Sequence, residues 1–140
     1  MIVSDSVELK DLVGLHQLTG VDMDNELTKE HYGWEEFMHC QVINFMLDGI
    51  TYTVSENPED GYRSSMREIL VSNKPIKNKF EPVQVNGVMR PNTRGYSNDI
   101  VDFYDVKTGK VVLSVGTEDL DDWYPNFVGY FDPTAMAINA

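Results

Sequence analysis

This chain is poor in cysteine and in long apolar runs. Its single cysteine, Cys40, excludes an internal disulfide, so the fold has to rest on packing, which suits a reducing compartment. No stretch approaches the roughly 18 consecutive apolar residues that a membrane-spanning helix needs. The N-terminus, residues 1–10, has no positive region followed by an apolar one. We therefore expect a cytoplasmic protein that does not bind membranes.

Phosphate-binding glycine loops and the G-x-S-x-G turn of serine hydrolases are also missing. Basic residues are few, because 11 Lys and Arg stand against 23 Asp and Glu, which gives a net charge of −12. Such a charge repels the phosphate backbone, so we expect no direct binding to nucleic acid. It suits a partner with a basic surface.

The chain does have enough apolar residues to form a core. It has 140 residues, of which 41% are hydrophobic. A chain of this length buries about two thirds of the surface that its unfolded form exposes. No internal repeat or linker divides it, so we predict one domain over 1–140.

The few positive charges are unevenly distributed. Residues 63–94, called here the basic window, hold seven of the 11 basic residues and only Glu68 and Glu81 as acids. The window therefore carries +5 and the remainder −17. A solvated Lys-rich connection, an anion site, and a patch that meets the acidic part of a second copy in a homo-oligomer all fit this pattern.

The N-terminal region has the pattern of a helix over 6–19. Asp5 with Glu8 fits a capping box, and Gly20 fits a helix C-cap. Four residues spaced i, i+3, i+4 and i+7 make one apolar stripe: Leu9, Leu12, Val13 and His16. Residues 21–36 are polar and acidic, which predicts a loop, either throughout or with a short helical turn near 26–31.

The clearest local signal is a hairpin. Strands 42–47 and 50–54 flank Asp48-Gly49, a dipeptide typical of type I′ turns. That turn sets a register with three apolar pairs on one face: Leu47 with Ile50, Phe45 with Tyr52, and Ile43 with Val54. A slip by one residue would turn Phe45 and Tyr52 to the other face.

Further strands are predicted at 68–72 and 126–131. Asn86-Gly87 predicts a second hairpin, and Lys107-Thr-Gly109 a third, whose strands are apolar on both faces and thus central. Tight turns imply antiparallel neighbours. The predicted fold class is α+β, with one N-terminal helix packed on a mostly antiparallel, hairpin-rich β-sheet or partly open barrel.

Signals for metal binding and catalysis are weak. His31, His39 and Cys40 lack the second ligand pair that zinc sites have, and a core-facing cysteine is the better interpretation of Cys40. The segment 22–26 resembles the start of a calcium loop, but the required glycine and the final glutamate are absent. No spacing supports catalysis by His16 with His39 and carboxylates. We expect neither an enzyme nor a cofactor.

The densest acidic run lies beside two aromatic residues. Its members are Glu118, Asp119, Asp121, Asp122, Trp123 and Tyr124. Carboxylates next to Trp and Tyr suit the rim and the anchors of a protein interface, which makes this run the candidate partner-binding site. A solvated turn is the alternative interpretation.

A candidate anion site lies at the start of the basic window. Arginine, serine and tyrosine side chains can bind phosphate and stack on a base. The residues are Tyr62, Arg63, Ser64, Ser65, Arg67 and, further along, Lys74. Arginines paired with nearby acids on a surface helix are the alternative.

Two segments resemble small uncharacterised proteins of bacteriophages and prophages. The first runs from 47–54 into 59–65, and the second covers 115–125. The resemblance implies a phage origin and brings no catalytic residues. Phages encode many small acidic proteins that block host machinery, so it favours that role.

Four functions remain open from the sequence. The leading hypothesis is a non-catalytic protein that occupies a basic surface of a host protein, such as a nuclease or another defence component. The second is a binder of an anionic nucleotide through the basic window. An enzyme and a virion structural or assembly protein are the third and fourth.

Overall fold

The computed structural model describes residues 6–28, 38–56, 69–90, 99–119 and 125–137. Nine β-strands make up most of these ranges: β1 (Ser6–Val7), β2 (Gly14–Thr28), β3 (Met38–Leu47), β4 (Ile50–Ser55), β5 (Ile69–Ser72), β6 (Asn78–Met89), β7 (Asp99–Asp105), β8 (Val111–Asp119) and β9 (Pro125–Phe131). Helical structure in the same ranges is limited to a 3-10 turn, Leu9–Leu12, and one short helix, α1 (Pro133–Ala137). Neither is long or apolar enough to cross a membrane.

The nine strands form one antiparallel sheet in the order β1-β5-β4-β3-β2-β6-β7-β8-β9. The sheet curls over its own core. Phe45 of β3 and Phe103 of β7 have ring centroids 6.1 Å apart, although two strands separate them in the sheet. Gly129 of β9 lies against the Ile43 side chain of β3, so closely that a Cβ there would collide with it. We call the face that encloses this core the inner face and the opposite one the outer face.

The predicted α+β class with an N-terminal helix is wrong. Among the described residues no helix reaches seven residues, and nearly all regular structure is antiparallel strand. The segment predicted as a helix begins with β1, makes the 3-10 turn and enters β2 at Gly14. The loop predicted over 21–36 is wrong as far as Thr28, where β2 ends, and 29–36 lie outside the described residues.

Of the four residues in the predicted apolar stripe, only the first two lie in helical structure. Leu9 and Leu12 are both buried in the 3-10 turn. Beyond them the period is two, since Gly14 and His16 pair with the inner-face residues Gly87 and Val85. Gly14 and His16 take inward positions of β2, and the apolar Leu15 takes an outward one, where it is 63% exposed. The start of β2 therefore lacks the alternation of apolar and polar residues that indicates a strand.

The hairpin at Asp48-Gly49 is confirmed with its register. Asp48 has φ 55° and Gly49 φ 83°, the positive pair that a type I′ turn requires. The predicted pairs Leu47–Ile50, Phe45–Tyr52 and Ile43–Val54 all form. The rings of Phe45 and Tyr52 stack with centroids 5.6 Å apart.

The hairpin predicted at Asn86-Gly87 is wrong, because β6 runs straight through it. Gly87 pairs with Gly14 of β2 on one side and Phe103 of β7 on the other. A Cβ at Gly87 would stand 2.6 Å from the Leu12 carbonyl oxygen and 3.0 Å from the Phe103 ring. Glycine is needed here for close packing and not for a turn.

The third hairpin and its central position are confirmed. The Gly109 amide donates to the Asp105 carbonyl across 2.8 Å, and Gly109 has φ 74°. The strands it joins, β7 and β8, lie between β6 and β9. Tyr104 and Val111 are partly exposed, whereas six other apolar residues of these strands are fully buried: Ile100, Val101, Phe103, Val112, Leu113 and Val115. The predicted strands near 68–72 and 126–131 are also present as β5 and β9.

Candidate functional site

Most residues of the two predicted sites lie outside the described ranges. Of the acidic run, Glu118 and Asp119 end β8, and 121–124 are not described. Of the candidate anion site, Tyr62, Arg63, Ser64, Ser65 and Arg67 are not described, and Lys74 lies in the connection between β5 and β6. The described members therefore mark only the edges of both sites.

The described cations of the basic window lie at the two ends of β6: Lys74, Lys77 and Lys79 at or before its start, and Arg90 after its end. Lys77 precedes β6 and Arg90 follows it, so a strand of 12 residues separates them. At a rise of about 3.3 Å per residue, the chain between them extends some 40 Å. The Lys77 ammonium lies 2.7 Å from Asp24 Oδ2, and that hydrogen bond raises the pKa of Lys77 above its ordinary value.

Arg90 is the centre of a polar cluster on the outer face. Its Nη2 and Nε donate to the two oxygens of Asp102 at 2.7 and 3.1 Å, a bidentate pair. Ser114 Oγ donates to Asp102 Oδ1 at 2.6 Å. Arg90 Nη1 also lies 3.5 Å from Glu118 Oε1. We call these four residues the Arg90 cluster.

Hydrogen bonds within the cluster favour the ionised forms of Asp102 and Arg90. Burial raises the pKa of Asp102, but the hydrogen bonds from Arg90 and Ser114 outweigh it, so the pKa falls below its ordinary value. The hydrogen bond to Asp102 likewise raises the pKa of Arg90. A buried carboxylate without Arg90 would be left uncompensated, which is costly. The cluster therefore fixes β6, β7 and β8 to one another.

Exposed apolar side chains lie around the Arg90 cluster on the same face. Val88 pairs with Asp102, Asp102 with Ser114, and Ser114 with Tyr130, so these four form one row across β6–β9. Three strand spacings make this row about 14 Å long. Val88 is 40% exposed and Tyr130 46%. Leu15 pairs with Asn86, the next outer-face position before Val88 on β6.

We call Leu15, Val88 and Tyr130 the outer patch. At one end of the patch stands Glu118, where the acidic run begins, and Arg90 connects the two by its contact with Glu118. The row was missed in the sequence because its members come from four strands whose order cannot be read locally. One signal was available: Asp102 interrupts the apolar residues 100–104, which indicates a buried charge with a partner.

His16 is held by two hydrogen bonds. Its Nδ1 lies 2.6 Å from Asp48 Oδ2 and its Nε2 2.8 Å from the Leu12 carbonyl oxygen. Both ring nitrogens are therefore engaged, one with the hairpin turn and the other with the backbone before β2. With Nε2 bound to a backbone carbonyl, His16 has no free nitrogen to accept a substrate proton. The geometry indicates a tie between the hairpin and β2 instead of a catalytic base.

The other candidate ligands do not assemble among the described residues. Cys40 lies in β3 and is 5% exposed, which confirms the prediction of a core cysteine at the start of a strand. His31 is not described, and within the described ranges no three His, Cys, Asp or Glu side chains stand close enough to hold a metal. Asp24 of the calcium-like segment is paired with Lys77.

A cavity of about 470 Å³ opens on the inner side of the sheet. Its walls come from the first half of β6, the β7–β8 turn, the end of β9 and α1. The described lining residues are Phe80, Glu81, Pro82, Val83, Gln84, Asp105, Lys107, Phe131, Pro133 and Met136. One sequence feature is typical of a helix start here: Asp132, whose Oδ1 accepts the Thr134 amide, precedes Pro133 at the first helical position.

No protein-family model, curated protein or solved structure matches this chain. The candidate sites are therefore judged by geometry and chemistry alone.

Proposed function

We propose that this chain is a non-catalytic binding protein of phage origin that works in the host cytoplasm. Through the outer patch and the acidic run it binds a basic surface of a host protein, and it thereby inhibits that protein. The observation that carries the proposal is the position of Glu118. This residue begins the run 118–122 and contacts Arg90, which follows Val88 of the outer patch by two residues on the same face.

The composition of this surface suits a protein partner. Exposed apolar residues bordered by charge mark protein interaction surfaces. Tyr130 is of a type enriched in interfaces, and Leu15 and Val88 add apolar area beside it. Within the Arg90 cluster, Arg90 is already neutralised by Asp102 and Glu118, so the cluster adds no net positive charge there.

Charge complementarity selects the partner. The chain has a net charge of −12, and Glu118 is followed in the sequence by Asp119, at the end of β8, and by the two aspartates 121 and 122. A basic surface is attracted over the Debye length, which is about 10 Å at 0.1 M salt. The apolar contacts then determine how long the complex lasts.

A capture experiment tests the proposal. Tagged protein is incubated with bacterial host lysate at low salt, and retained proteins are identified. We expect a basic protein that is released as salt rises. It should be lost from a variant with Asp119, Asp121 and Asp122 changed to Asn, and from a Leu15→Ser, Val88→Ser double variant.

Val106→Ser is the matched control, since Val106 is 48% exposed but lies on the β7–β8 turn. It should retain the partner as the unaltered protein does. If the acidic and the outer-patch variants both bind as well as the control, the proposal is wrong.

The anionic nucleotide hypothesis stays a prediction, since its residues 62–67 are not described. Among the described cations of the basic window, Lys77 and Arg90 are engaged with carboxylates, so neither supports it. The virion hypothesis likewise stays a prediction.

A further inference from the structure

The cavity on the inner side of the sheet belongs to neither the outer patch nor the acidic run. Phe131 and Tyr130 are neighbours on β9, and neighbouring residues on a strand point to opposite faces. Phe131 therefore lines the cavity, whereas Tyr130 belongs to the outer patch. What the cavity binds is thus independent of the proposed function.

An irregularity in the sheet builds this cavity. Leu18 pairs with Val83, but Gly20 pairs with Lys79, so a single residue of β2 stands opposite three residues of β6, 80–82. Bulges of this kind redirect side chains out of the regular ladder and are frequent beside binding sites. The pairing of β6 with β7 starts only at Val85, which leaves room beside the bulge.

The walls are mostly apolar and partly aromatic. The rings of Phe80 and Phe131 stack at 6.0 Å between centroids and 17° between planes, and both pack on the core. Val83 and Met136 also join the core cluster while lining the cavity. A volume of about 470 Å³ is within the range of small-molecule sites.

The charges on the wall favour a cation. Glu81 and Asp105 supply two carboxylates, against one ammonium from Lys107, so the described lining carries −1. Asp105 is only 1% exposed, and its Oδ1 accepts the Lys107 amide at 2.8 Å.

We propose that this cavity binds a small apolar amine, with its hydrocarbon or aromatic part against Phe80 and Phe131 and its ammonium towards Glu81. The occupant is a monocation of this kind because apolar walls and a net negative lining occur together. A carboxylate of the same shape would meet Glu81 with like charge.

Nuclear magnetic resonance titration of the full chain tests this. The probes are 2-phenylethylamine, the neutral 2-phenylethanol and the anionic 3-phenylpropionate, which share a phenyl ring on a short chain. We expect saturable amide shifts at Val83, Lys107 and Phe131, with the amine bound most tightly and the carboxylate most weakly.

Variants connect the binding to the cavity. Glu81 is exposed, so Glu81→Lys should fold, and it should weaken amine binding by about fivefold or more. Glu8→Lys makes the same charge change at the N-cap residue before the 3-10 turn, and it should leave the affinity unaltered once its thermal unfolding is shown to stay cooperative. Val83→Trp should fill the cavity and abolish the shifts if its thermal unfolding stays cooperative.

Three results would each overturn the proposal. One is the absence of saturable shifts with the amine. Another is a carboxylate bound as tightly as the amine, which would indicate an anion site at Lys107. The third is an equal loss of affinity in Glu81→Lys and Glu8→Lys, since general electrostatics would then explain the binding.

Discussion

Asp48-Gly49 and Asn86-Gly87 are two dipeptides of the same local type, and only the first makes a turn. Asp48-Gly49 adopts positive φ at both residues and joins β3 to β4. Asn86-Gly87 lies inside β6, between β2 and β7. The local chemistry of a turn therefore permits a hairpin, and contacts with distant parts of the chain decide whether it forms.

The distant contacts of the two dipeptides differ in kind. Around Asp48 they hold the turn in place: the Asp48 amide donates to the Gln17 carbonyl at 2.9 Å, and Asp48 Oδ1 accepts the Gln17 amide at 2.9 Å. Around Gly87 they fill the space that a side chain would need. Gln17 of β2 provides the first kind of contact, and Leu12 of the 3-10 turn together with Phe103 of β7 provides the second.

The largest expected effect is at Gly87. Gly87→Ala places a methyl group 2.6 Å from the Leu12 carbonyl oxygen, which also accepts the His16 hydrogen bond. Backbone has to move, so we expect a loss of about 2–3 kcal/mol in the free energy of unfolding. Urea denaturation measures it. An unchanged midpoint would mean that β6 does not pass between Leu12 and Phe103.

Changing the first residue of each dipeptide to valine tests whether that residue lies in a turn or in a strand. Asp48→Val forces a β-branched residue to positive φ and removes the bonds to His16 and Gln17, so it should cost about 2 kcal/mol. Asn86→Val puts a good strand former on an exposed strand position and should change stability by less than about 0.5 kcal/mol. Thermal or urea unfolding of the two variants checks this. Equal costs would remove the distinction between turn and strand.

Gly49→Ala should lower the free energy of unfolding less than Gly87→Ala, although Gly49 lies in a turn and Gly87 in a strand. Nothing lies within 4 Å of a Cβ at Gly49, and only its φ of 83° opposes a side chain. The expected loss is about 1 kcal/mol in urea unfolding. A larger loss here than at Gly87 would reverse the order that the contacts predict.

The smallest expected effect depends on pH. The hydrogen bond from His16, followed by the one from the Gln17 amide, lowers the pKa of Asp48 below 3.8. A carboxylate with a lowered pKa stabilises the fold above its unfolded pKa, and this contribution is lost as the pH falls through its folded pKa. Asp48→Asn keeps a residue that tolerates the turn but lacks this contribution. The stability difference between the two proteins should therefore shrink below pH 3.8.

Urea unfolding from pH 2.5 to pH 7 measures that difference, in roughly the range where carboxylates titrate. Asp102 and Asp132 also have lowered pKa values, so both proteins should lose stability in acid. Only the difference between them reports on Asp48. A difference that stays constant over the whole range would mean that His16 does not stabilise the Asp48 carboxylate.

The fold could be predicted where the turn residues and the apolar pattern of the strands indicate the same pairing. At Phe45 and Tyr52 the turn residues and the apolar alternation fix the same register, and that register is present. The buried pair β7–β8 was predictable for the same reason. β2 was not, because Gly14 and His16 occupy inward positions and Leu15 an outward one.

The candidate site was less predictable than the fold. A charged residue at Asp102 within an apolar strand indicates a buried ion pair, but its partner Arg90 depends on how β6 is aligned with β7. Only tertiary pairing gives this information.

The outer patch and the Arg90 cluster both require that β6 runs straight through Asn86-Gly87. Cross-strand contacts between backbone protons in a nuclear magnetic resonance spectrum test this most directly. The account predicts contacts from Gly87 to both Gly14 and Phe103. Contacts from Val85 to Val88 across a two-residue turn, with none to Gly14 or Phe103, would contradict it.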